Sequence, residues 1–195
     1  MAEAIPADHP LRKLFRSAVD RAFQDFPEVY TPEVATHIGD NVLSDFVHVD
    51  RLYRLRNARG KPLEELPEMI QVACEKEGPE RRLEVDRYIG DFVLFMAGFF
   101  PSFVRRSGWF TPTPMVSRVG QVLVSFTQPI DYYLAEGRNA YARAAATARL
   151  FDPPSHHTFN KLGTHFEIYL ELVALVKRLL RDDPHVREVE GEVGA

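Results

Sequence analysis

Residues 80–100 read ERRLEVDRYIGDFVLFMAGFF. The first half of this stretch alternates charge with apolar residues, but from Phe92 to Phe100 every position is apolar or glycine. A helix without a polar face has nothing to turn toward water and is normally buried. The run therefore predicts a helix over about Glu80 to Phe100 at the centre of the fold, with Phe92, Phe95, Met96 and Phe99 in the core. Nine apolar residues fall well short of the roughly 20 that a membrane-spanning helix needs, so no membrane span is expected.

Gly78-Pro79 precedes this helix and Pro101 follows it, and both are breaks. Toward the N-terminus, Leu11, Phe15, Ala18, Val19, Ala22 and Phe26 recur at helical spacing, with Asp8 placed to cap and Pro27 to stop a first helix. Thr31-Pro32 pairs an N-cap residue with proline at the first helical position, opening a second helix that runs to about Val47. A third helix is expected from about Leu63 to Glu77, with Cys74 on its apolar stripe. Toward the C-terminus, residues 107–114 form a loop that Trp109 and Phe110 would pin to the core. A fifth helix is expected over Pro114 to Phe126 and a sixth over Pro129 to Leu150. Gly137, Ala144 and Ala148 on the sixth would let a neighbouring helix approach closely. The last is expected over His156 to Leu180. No strand is expected. The chain reads as an all-α protein: a single compact bundle-like domain of about seven helices over residues 1–183, built round the central hydrophobic helix and followed by a flexible acidic tail, 184–195.

With 45% hydrophobic and 27% charged residues, the composition is that of an ordinary globular protein. The net charge of −4 argues against a nucleic-acid partner, which usually meets a basic surplus. The one cysteine, Cys74, excludes an intrachain disulfide and any paired-cysteine metal or redox site. No signal-peptide pattern opens the chain, so a cytoplasmic location is the expectation. Arginines outnumber lysines 19 to 5, a bacterial-like usage suggesting a GC-rich coding sequence.

No phosphate-binding GxxxxGK[ST], no GxGxxG, no GxSxG and no HExxH occurs. Candidate chemistry is confined to scattered polar residues on apolar helices. On the second helix, His37, Asn41, Asp45 and His48 are spaced 4, 4 and 3 residues apart, which places them on one strip of an ideal α-helix. His37, Asp45 and His48, joined by His165 from the last helix, are the candidate metal ligands, since two imidazoles and a carboxylate suit zinc or iron. Asp91 stands at the edge of the apolar run. It reads as a buried acid, or as the end of an ion ladder with Glu84 and Arg87. Tyr133 and Tyr141 share the apolar face of the sixth helix and are candidates, with Asp91, to line a pocket between helices. The sequence specifies no cofactor, and whether the chain is an enzyme stays open. The reading that fits is a cytosolic helical domain for protein–protein interaction or self-association. The alternative is a helical-bundle protein or enzyme that binds a metal or a hydrophobic ligand through the His37/Asp45/His48 strip.

Overall fold

The computed structural model describes residues 5–6, 8–57, 59–75, 78–106, 115–119, 122–126 and 128–183. Trp109, Phe110, the side chain of Cys74 and the tail 184–195 lie outside the described residues. The helices are α1 (Pro10–Phe23), a composite α2 over residues 32–46, α3 (Val49–Leu52), α4 (Leu66–Glu75), α5 (Pro79–Phe99), α6 (Pro101–Arg106), α7 (Pro129–Ala148), α8 (Pro153–Thr164) and α9 (Phe166–Asp182), with a short 3₁₀ turn at Pro27–Val29. Proline stands in the first turn of α1, α2, α5, α7 and α8, where its missing N–H has no helical partner to lose and its fixed φ suits the helix.

The fold is an all-α bundle centred on α5. From Tyr88 to Gly98 every residue of that helix is buried, as the apolar run predicts. Phe99 differs, being only partly buried. The most extensive partner of α5 is α7, and α9 packs against it as well. The first of these interfaces is unusually close. A Cβ added at Gly90 would lie 2.8 Å from the Tyr141 ring, and one added at Gly137 would lie 2.7 Å from the Val93 side chain. Each glycine therefore provides space for a side chain of the opposing helix. The sequence expectation that small residues on α7 admit a neighbour holds here, and α5 reciprocates.

Three expected elements are corrected. The segment expected as a fifth helix is an antiparallel pair of strands, β1 (Met115–Val119) and β2 (Val122–Phe126), with Val119 opposite Val122 and Met115 opposite Phe126. Its valines, at 116, 119, 122 and 124, lose side-chain freedom in a helix and suit extended backbone. The expectation of no strand is therefore wrong, although the pair stands beside the helical array and makes its contacts mainly with α7. The single last helix is instead two, α8 and α9, because His165 leaves helical geometry at φ −113°, ψ 33°. At the N-terminus, the cap of α1 is His9 and not Asp8: its Nδ1 accepts the Leu11 N–H at 3.2 Å.

The second helix begins and ends nearly as expected but is not a uniform α-helix. Residues His37–Leu43 form a π-helical segment between two α-helical pieces. Ser44 holds it in place. Both its backbone N–H and its hydroxyl donate to the Gly39 carbonyl, the hydroxyl at 2.7 Å. Such segments are rare and concentrate at functional sites. No helix among the described residues is long and apolar enough to cross a membrane.

Candidate functional site

The π-helical segment sends its polar side chains in two directions. Asp40, buried, turns back onto α1, where Arg16 pairs with it and Arg12 Nε lies 3.0 Å from its Oδ1. Burial pushes the Asp40 carboxyl up, but the two guanidiniums outweigh it and hold the group below its ordinary value. His37 turns the other way, into the core, and its Nε2 lies 2.6 Å from Asp91 Oδ1 on α5. Tyr141 on α7 donates to the same oxygen at 2.7 Å. Asn41, one turn after His37, lies 3.0 Å from the imidazole Nδ1. The imidazole thus bridges Asn41 at Nδ1 and Asp91 at Nε2.

Asp91 is 3% exposed and His37 6%. A carboxylate this deep needs partners. Burial raises the Asp91 pKa, but His37, Arg87 and the Tyr141 hydroxyl together hold it below the ordinary value of 3.8. The same arrangement raises the Tyr141 phenol well above its usual range, because it is buried and bonded to a negative charge. Neither imidazole nitrogen is free in this arrangement. The chemical work of the His37–Asp91–Tyr141 triad is to fasten α2, α5 and α7 to one another, and two clefts lie beside it.

The first cleft, of about 400 Å³, lies between α2, the chain that follows it, and α5. Arg51, Arg54, Arg56 and Arg87 line it, with Asp45 and Asp50 opposing them. Arg51 pairs with Asp45. Of the other three arginines, Arg54 and Arg87 have only long ion pairs. Arg54 lies over the Tyr88 ring, 4.6 Å from its centroid, with Glu84 at 3.8 Å. Arg56 donates to the Gly60 carbonyl at 3.0 Å. Arg87 reaches only to 4.0 Å from Asp91 Oδ2, and its buried Nε has no hydrogen-bond partner. The second cleft, of about 430 Å³, opens between the first turns of α2 and α8. Asn41 and Arg87 line both clefts, while Asp91 lines the first and His37 the second.

Measured against the sequence, the structure brings together His37, Asp91 and Tyr141 and separates the remainder. His37, Asp45 and His48 are not gathered into one group. A π-turn holds more residues than an α-turn, so the hundred-degree projection, which holds from His37 to Asn41, does not carry through the segment. Asp45 reaches Arg51 instead, and His48 is half-buried at the end of α2. His165 is exposed at the break between α8 and α9, with its ring edge-on to Tyr169. Among the described residues no group of three or more His, Cys, Asp or Glu side chains is placed to hold a metal ion. Tyr133 is buried, and Tyr132, Glu65 and Tyr53 are its charged or titratable neighbours. The expected ladder survives only as the long Arg87–Asp91 pair, since Glu84 faces Arg54. Sequence reasoning missed the arginine cleft. Its signal is the run Asp50-Arg51-Leu52-Tyr53-Arg54-Leu55-Arg56, which sets three arginines within six positions.

No protein-family model, no curated protein and no solved structure matches this chain.

Proposed function

We propose that the chain is a ligand-binding helical protein whose ligand carries a small anionic group, a carboxylate or phosphate, held in the first cleft. The observation that supports this is the state of Arg54, Arg56 and Arg87: three guanidiniums on one cleft, none with a carboxylate of the described residues within hydrogen-bond distance. Planar guanidinium forks match carboxylate and phosphate oxygens in geometry as well as charge. The cleft volume falls in the range of small-molecule sites. A chain with a single cysteine gains nothing from an oxidising compartment, which supports a cytoplasmic setting.

Titration calorimetry with inorganic phosphate at low salt tests the reading. The expected result is a saturable one-to-one isotherm that Arg87→Gln weakens about tenfold or more, the loss expected for a hydrogen bond to a charged group. Absence of any isotherm with the parent protein, or full binding by the Arg54→Gln/Arg87→Gln double variant, would overturn it.

A domain for protein–protein interaction or self-association is the second reading. Its support is the adjacent pair Leu150 and Phe151 just beyond α7, where Leu150 is 79% exposed and Phe151 is also exposed. Single exposed apolar residues are commonplace; two large ones side by side are a small patch of the kind that contacts use. Sedimentation velocity over a concentration series is expected to show dimer in the parent and monomer in the Leu150→Glu/Phe151→Glu variant. A parent that stays monomeric throughout removes self-association.

A further inference from the structure

The two clefts meet at Asn41 and Arg87, and their linings differ in kind. The first carries four guanidiniums, with Asp45, Asp50 and Asp91 also in its lining. Arg87 is the one guanidinium among the described residues of the second, which offers the Thr36 and Ser155 hydroxyls, the Asn41 amide and the Glu33 carboxylate beside the exposed Pro32 and Pro154. Glu33, exposed in the first turn of α2, repels a second anionic group there and can accept hydrogen bonds from hydroxyls. Flat apolar surface next to several neutral hydrogen-bonding groups suits a hydroxylated ring, which has both C–H faces and an equatorial fringe of hydroxyls.

We propose that the two clefts form one bipartite site for a sugar phosphate: phosphate among Arg54, Arg56 and Arg87, sugar ring against Pro32 and Pro154 with its hydroxyls on Glu33, Thr36 and Ser155. This rests on the anion-binding reading and assigns the second half of the ligand. Arg87 lines both halves, which places it where phosphate and sugar join.

The test compares inorganic phosphate, glucose 6-phosphate and phenyl phosphate by calorimetry on the full chain. Glucose 6-phosphate is expected to bind about tenfold or more tighter than inorganic phosphate, the return of a few added hydrogen bonds. Phenyl phosphate is expected to gain less. Ser155→Trp, which fills the second cleft from a half-exposed position in the first turn of α8, should erase the advantage and leave inorganic phosphate unchanged. Glu33→Gln, an isosteric change at the surface, should reduce it. If inorganic phosphate binds but glucose 6-phosphate binds no tighter, or phenyl phosphate gains as much, the bipartite site is wrong and the anion site stands. If none of the three binds, the anion-binding reading itself falls.

Discussion

Replacing Asp91 by alanine is expected to cost about 3–5 kcal/mol of folding stability, the range for breaking a buried charge pair. The reason is the number of partners left behind. His37 Nε2 and the Tyr141 hydroxyl both converge on Oδ1, and both would be left in the core without that partner. For a domain of this size the melting point should fall by roughly 6–20 °C. Asp91→Asn keeps an acceptor oxygen and should cost less, which separates lost hydrogen bonds from lost charge. The pH dependence has a definite sign. The Asp91 carboxyl titrates below its ordinary 3.8 in the folded state, so its contribution is fully present above about pH 5. That contribution drains away as the pH falls through the folded value. The difference in stability between parent and Asp91→Asn should therefore narrow in acid. Using the difference matters, because Asp86 is shifted up by its burial and acts in the opposite sense. An Asp91→Ala protein that melts with the parent would show that the triad fastens nothing.

Phe95→Ala should be comparably damaging, at about 3–5 kcal/mol, for a different reason. Phe95 is 5% exposed and joins two groups of rings. It stacks on Phe99 with centroids 5.1 Å apart, and meets Phe46 and Phe100 edge-on at 5.5 and 5.8 Å. Truncation removes aromatic area from all three contacts and leaves a cavity between α2 and the end of α5 that helices cannot easily close. Chemical denaturation should register it as a lower midpoint at an unchanged slope. A midpoint equal to the parent's would place α5 at the periphery.

The central helix was legible because a run such as Phe92–Phe100 has only one physical outcome in water. The close approach of α7 was legible too, from small residues spaced along one stripe. What escaped the sequence depended on geometry that periodicity cannot carry. The contact between His37 and Asp91 spans 54 positions, and nothing local to either residue announces the other. The π-helical segment defeated the projection from which the metal strip was drawn, so two of its members, Asp45 and His48, fall away from His37. The strand pair Met115–Val119 and Val122–Phe126 was missed for a simpler reason. Its apolar spacing is compatible with a helix, and the preference of valine for extended backbone is a weak, context-dependent bias. His165 looked inward only while α8 and α9 were counted as one continuous helix.

The close contact at Gly90 also bears on how this protein can change over generations. The Tyr141 ring occupies the place that any side chain at position 90 would need, and the same ring delivers its hydroxyl to Asp91. Positions 90, 91 and 141 are thus not three independent choices. A lineage that loses the aromatic ring at 141 is freed to enlarge position 90, and it loses one reason to keep an acid at 91. A lineage that enlarges position 90 first must pass through a poorly folded ancestor. Descent should therefore change the three positions in a fixed order, with glycine the last of them to be released.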